Sequence, residues 1–170
     1  MNKAVFLDRD GTVIVHVHYL RDPEQVAIVP DGADALRRLQ ERGYLLVIVS
    51  NQSLVGRGYG TLEDVEAVNG RMGELLATDG VTLAGVKYCP HHPDANCPNR
   101  KPNPGMLLEA AKELDIDLAR SAMIGDNLLD VEAGTNAGCM LNILIDVAAS
   151  VDHAPSATSL SAAADLILES

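Results

Sequence analysis

Apolar residues along this chain arrive in short bursts, and several bursts stop abruptly at polar clusters. Lys3–Leu7 is apolar after its first residue and ends at Asp8-Arg9-Asp10-Gly11, so it predicts a first strand. Leu45–Val49 predicts a second, ending at Ser50-Asn51-Gln52. Val86–Tyr88, Ala122–Ile124 and Leu141–Ile145 predict three more, and Ala164–Leu168 an edge strand at the end. Each run is too short for a helix and lacks the strict alternation of a half-exposed strand, which suits strands buried on both faces.

Between them the spacing turns helical. From Asp31, Leu36 and Leu39 share a face, Arg37, Arg38 and Arg42 gather towards the end, and Gly43 stops the helix. Thr61 with Asp64 three residues on forms a capping-box pattern before a stripe of Val65, Val68, Met72, Leu75 and Leu76. Pro104 suits a first helical turn, with Leu107, Ala111 and Leu114 inward, and a further helix spans about 127–137 until Gly138. Residues 12–30, 89–103 and 148–161 read as loops. Strands alternating with helices predict an α/β fold: a parallel sheet covered on both faces, with ligands beyond the carboxyl ends of its strands.

Composition narrows this. The 170 residues are 47% hydrophobic but 3% aromatic, so Ala, Val, Ile and Leu must build the core of one domain covering residues 1–170. A net charge of −11 disfavours nucleic acid and anionic membranes as partners. No apolar run spans a bilayer, and residues 1–7 leave no room for a signal peptide. A cytoplasmic, monomeric protein with reduced cysteines is expected.

Three predicted strands end in chemistry. Asp8 and Asp10, two residues apart, can point to one side while Arg9 points away, and Gly11 permits the tight exit. With Asp126 arriving from another strand, they make a hard-oxygen site of the kind Mg²⁺ takes alongside a substrate phosphate. Ser50 offers a hydroxyl to the same phosphate, and Lys101 a fixed positive charge. Asp8 is then a nucleophile, and Asp10 a general acid that later activates water. A D-x-D pair alone would more often cap backbone amides. Gly11-Thr12, Ser50, Lys101 and Asp126 in order make phosphoryl transfer the better reading.

These residues carry a resemblance. Phe6-Leu7-Asp8-Arg9-Asp10-Gly11-Thr12 resembles the first motif of the haloacid dehalogenase-type phosphohydrolases, and Ser50, Lys101 and Gly125-Asp126 resemble the other three. Ser50-Asn51-Gln52-Ser53, Arg57-Gly58, Tyr88-Cys89-Pro90-His91-His92-Pro93 and Arg100-Lys101-Pro102 resemble, within it, the heptose 1,7-bisphosphate phosphatases, with histidinol-phosphate phosphatases close behind. The likeness runs to about Ile145. It implies a Rossmann-like three-layer α/β/α fold without a large cap and a small sugar phosphate as substrate. It also implies substrate contacts at His16, His18, Tyr19, Asn51, Gln52, Ser53, Arg100 and Lys101.

Two positions depart from the pattern. Asn127 stands where the heptose enzymes usually carry Lys. The family's zinc loop here supplies Cys89, His91 and Cys97, then Asn99 in place of the fourth ligand. Zn²⁺ on three protein ligands competes with a proline-packed loop bearing free thiols. Asp130, one turn after Asp126, reads either as orienting a metal-bound water or as an exposed helix carboxylate, and Cys139 as core. Rival functions are a phospho-acceptor signalling domain, an idle binding module on the same fold, or a phosphatase for histidinol phosphate or a nucleotide. A receiver places its acceptor on a middle strand, whereas Asp8 ends the first strand with its own acid two residues on.

Overall fold

The computed structural model describes residues 1–148 and 155–170. Six strands form one parallel sheet: β1 (Lys3–Leu7), β2 (Tyr44–Asn51), β3 (Gly85–Cys89), β4 (Ala122–Gly125), β5 (Leu141–Ile145) and β6 (Ser156–Ala157). Their order across the sheet is β3-β2-β1-β4-β5-β6, every pair parallel. Among the described residues the α-helices are α1 (Gly32–Glu41), α2 (Leu62–Thr78), α3 (Gly105–Glu113), α4 (Leu128–Ala137) and α5 (Leu160–Glu169).

Alternation along β1 divides the core in two. Val5 and Leu7 pack with Leu36 and Leu39 of α1, Val68 and Met72 of α2, and Leu160 and Ala163 of α5. Ala4 and Phe6 face the other way, against Met106 and Leu107 of α3 and Ala133 of α4. Successive side chains on a strand point to opposite faces, so a run buried throughout needs helices on both. The result is the three-layer α/β/α arrangement, with no large cap among the described residues.

The Thr61–Asp64 capping box forms as expected. Pro104 lies at the cap of α3, one residue outside the helix. The tail departs from expectation: Ala164–Leu168 is not an edge strand but part of α5, and the edge is Ser156–Ala157. Leu160, Ala163, Ala164 and Ile167 are the buried positions, a helical i, i+3, i+4, i+7 stripe whose middle members are alanines. Small side chains hid the stripe, and Ser159, which accepts a hydrogen bond from the Ala162 amide, marks the helix start. The loop expected over 148–161 is therefore shortened by β6 and α5, and residues 149–154 of it lie outside the described residues. No described helix is long and apolar enough to cross a membrane.

The order in which successive strands are laid down reverses at β1, since β2 and β3 lie on one side and β4 to β6 on the other. A crevice opens at such a point beyond the strand ends. Asp8 leaves β1 there, held by its amide to the Ile124 carbonyl, and Asp126 follows β4 beside it.

Candidate active site

Lys101 organises the crevice. Its side chain is 2% exposed, and Nζ reaches Asp8 Oδ1 at 2.8 Å and Asp130 Oδ1 at 2.6 Å. Burial alone would lower its pKa, but the two facing carboxylates outweigh that and raise it, so the ammonium is retained. The loop carrying Lys101 is clamped by Asn51, whose amide donates to the Lys101 carbonyl at 3.1 Å and accepts from its amide at 3.0 Å. The end of β2 thus fixes where the cation sits.

Asp8, Asp126 and Asp130 each bring a carboxylate oxygen within 4.8 Å of the others. Asp130 is a buried member of this cluster and no exposed helix carboxylate. Its second oxygen accepts from the Asn127 amide, and Asn127 Oδ1 accepts from the Leu129 amide. Asn127 therefore caps α4. Burial, then the Asp8 charge, push Asp126 up to about 7 and Asp130 up to about 6, with Lys101 opposing the rise at Asp130. The cluster holds more negative charge than one lysine balances, which is a donor set suited to a divalent cation. Two glycines make room for it. A Cβ on Gly11 (φ +79°) would collide with the Asp126 carboxylate, and one on Gly125 with Asp130.

These values predict a pH effect. A carboxyl whose pKa is higher folded than unfolded binds its proton more tightly in the native state. Metal-free protein should therefore lose stability as pH rises from about 4 to about 7. In EDTA the Tm should drop by a few degrees between pH 5.5 and 8, and Mg²⁺ should raise it more at pH 8 than at 5.5. Asp126→Asn should flatten that difference, and scanning fluorimetry of both proteins checks it. An unchanged slope in the variant would leave the cluster without this role.

Asp10, expected beside Asp8 and Asp126 at the metal, has its carboxylate outside the cluster, where Asp130 stands instead. Its oxygens are held by Arg9, Nε to Oδ2 at 3.1 Å and Nη2 to Oδ1 at 3.2 Å, and by Gln52 Nε2 at 2.8 Å. Arg9, expected to point away, instead folds back and is 1% exposed. A guanidinium leaving a buried strand end needs acceptors, and Asp10, Gln52 and Asn69 are those within reach. Gln52 also donates to Ser50 Oγ, so this nearly buried amide is part of the site's framework as well as of its surface.

Two adjoining cavities meet at Asp10, His16 and Asn51. One, about 230 Å³, is lined by Asp8, Lys101, Asp126 and Asp130. The other, about 190 Å³, is lined by His16, His18, Tyr19, Gln52 and Ser53. Tyr19 packs against His18 and Tyr59, with ring centroids 4.2 and 5.0 Å away. Arg100 lines neither cavity, and its Nη1 is buried without a hydrogen-bond partner among the described residues. Cys89, His91 and Cys97 bring their ligand atoms within 4.8 Å of one another, while the Asn99 amide donates to Glu109. Cys139 is buried in the core, its thiol pushed up to about 12 by burial.

The family model of haloacid dehalogenase-like hydrolases matches residues 15–138. The chain belongs to that family. Among haloacid dehalogenase-like hydrolases it is 42% identical to a D-glycero-beta-D-manno-heptose-1,7-bisphosphate 7-phosphatase of Haemophilus influenzae, over 85% of this chain and 82% of that protein. It is 40% identical to the enzyme of the same name from Photorhabdus laumondii, over 98% and 90%. The crystal structure of D,D-heptose 1,7-bisphosphate phosphatase from B. bronchiseptica, complexed with magnesium and phosphate, superposes with a TM-score of 0.87. It is 30% identical, and 98% of each chain is covered.

Asn69 is the site residue that the sequence reading missed. It sits four residues after Val65 on the buried stripe of α2, and a polar side chain on an apolar face was the available signal.

Proposed function

We propose that this hydrolase is a phosphomonoesterase acting on a small sugar phosphate, with D-glycero-D-manno-heptose 1,7-bisphosphate as substrate and its 7-phosphate as the group removed. The observation that carries the reading is the Asp8–Lys101–Asp130 contact with Asp126 alongside. It sets a partly accessible carboxylate, 14% exposed, at the floor of a cavity large enough for a phosphate. The names and coverage of the relatives supply the sugar.

Asp8 attacks phosphorus, forming an O–P bond as the ester P–O bond breaks. Asp10 gives its proton to the departing sugar oxygen. Water then attacks the aspartyl phosphate, Asp10 takes its proton, and the acyl phosphate P–O bond breaks to return the Asp8 carboxylate. Lys101 and Ser50 face the transferring oxygens. Mg²⁺ would be held by Asp8 and Asp126 with Asp130 beside them, and when bound supplies the charge neutralisation that lets a phosphate dianion approach a carboxylate. His16, His18, Tyr19 and Ser53 contact the sugar from the second cavity, with Asn51 at the junction. Cys89, His91 and Cys97 would hold a Zn²⁺ ion if one binds, with Asn99 turned to Glu109 and outside that set; the alternative is a loop of free thiols.

Phosphate release from the heptose bisphosphate and from histidinol phosphate, each with EDTA and with Mg²⁺, tests this. The heptose substrate should lead in kcat/KM by about tenfold or more, about 1.4 kcal/mol in barrier, and activity should vanish in EDTA. The reverse ranking would move the chain to the histidine pathway, and full activity after chelation would remove the metal.

A further inference from the structure

Arg9 is a fully buried arginine beside the proposed acid/base, and no step so far uses it. Four of its five N–H groups are engaged. Nε and Nη2 grip both oxygens of Asp10, Nη2 also donates to Gln52 Oε1 at 2.9 Å, and Nη1 donates to Asn69 Oδ1 at 2.9 Å. Gln52 in turn donates to Asp10 Oδ2 and to Ser50 Oγ, while its own amide is pinned to the Cys89 carbonyl at 2.8 Å.

A carboxylate offers roughly four lone-pair positions. At Asp10 three have donors: Oδ2 takes Arg9 Nε and Gln52 Nε2, and Oδ1 takes Arg9 Nη2. The position left is on Oδ1. Asp10 is 23% exposed and lines both cavities, so that one position opens towards the substrate. The grip is only as rigid as its far end. The Asp10–Arg9 contact is between chain neighbours, which by itself could swing together. Asn69 on α2 and Gln52 after β2 tie it to two separate elements.

We infer that Asn69, though it lines neither cavity, is a positioning residue for proton transfer, acting through Arg9 to aim Asp10 Oδ1 at the leaving oxygen. Burial supports this over a plain packing role. Asn69 is 7% exposed and placed among Val65, Val68 and Met72, where an apolar side chain would pack at no polar cost. The inference rests on the acid/base reading of Asp10, and the experiment separates the two.

Proton donation matters for a sugar alkoxide and little for nitrophenolate. The measurements are kcat and KM on the sugar phosphate and the rapid-quench burst rate on p-nitrophenyl phosphate. They are made for the wild type, Asp10→Asn, Asn69→Ala and Asn69→Asp. Asp10→Asn sets the reference, a severe loss on the sugar phosphate with the burst preserved. Asn69→Ala should lower kcat on the sugar phosphate by about tenfold or more, with KM and the burst rate within about threefold of wild type. Asn69→Asp keeps an acceptor for Nη1 and should recover most of the loss. Should Asn69→Ala fold poorly, Arg9→Lys takes its place, because one ammonium has no fork to hold both Asp10 oxygens and reach Asn69. Equal slowing of both substrates, or no slowing, in a folded Asn69 or Arg9 variant overturns the inference while the Asp10 reference stands. Equal slowing in Asp10→Asn itself overturns the acid/base reading, and this inference with it.

Discussion

Asp8→Asn should lower phosphate release by about 10⁴-fold or more while leaving the protein at least as stable as wild type in EDTA. The two halves of that expectation have one cause. An amide neither attacks phosphorus nor becomes an acyl phosphate, so turnover stops. The same change removes the charge that, after burial, does most to raise Asp126 and Asp130. Lys101 keeps Asp130 as a partner at 2.6 Å, so no cation is stranded. Steady-state assay and thermal melts in EDTA check both halves together. Near-native turnover in a clean preparation would end the nucleophile assignment. Lost turnover with a collapsed Tm would make Asp8 a structural residue as well.

Lys101→Met should act in the opposite sense on stability. A buried ammonium between two carboxylates is costly to remove, because both partners lose their countercharge in a place water barely reaches. Above pH 7 the cost is about 3–5 kcal/mol. It should shrink towards pH 5.5, since Asp130, freed of the lysine that lowers its value, takes up a proton more readily than in the wild type. Activity should fall by about 10²–10³-fold, the effect of losing one preorganised charge at the transferring group. Melts in EDTA at pH 5.5 and 8, with kcat at saturating Mg²⁺, measure the two effects. A variant equally stable at both pH values would show that Lys101 does not hold the cluster's charge.

The backbone plan was readable because its signals are local. Runs such as Ala4–Leu7 and Leu45–Val49 are uniformly apolar, and the Thr61–Asp64 capping box names its own helix start. The family motifs supplied the identity of the site residues. What escaped was what depends on partners far apart in the chain. Arg9 follows Asp8, and alternation alone sends it away from the crevice. Gln52 and Asn69, 43 and 60 positions further on, draw it back. Asp130 stays open between orienting a metal-bound water and an exposed helix carboxylate, because helix position gives no hint of a lysine arriving from residue 101. Gln52, a substrate contact by the family likeness, lines the second cavity, and nothing in its place beside Ser50 hinted that its amide also binds Ser50, Asp10 and Arg9. The final helix escaped for a different reason, its buried stripe being half alanine.

The position of β1 in the sheet has a consequence for how the molecule is made. Val5–Leu7 pairs on one side with Leu46–Ile48 and on the other with Ala122–Ile124. During synthesis the first partner emerges early, but the second edge of the central strand waits for Ala122, more than a hundred residues beyond β1. Until then a nascent chain carries an unpaired apolar strand edge, the kind of surface that invites wrong pairing. Closing that edge spans most of the sequence, which makes the step entropically demanding and slow relative to local helix formation. The same event brings Asp126 and Asp130 beside Asp8. Mutual repulsion of the carboxylates is therefore met late, as the last central pairing forms, and a cation available at that moment would speed the closure as well as stabilise its product.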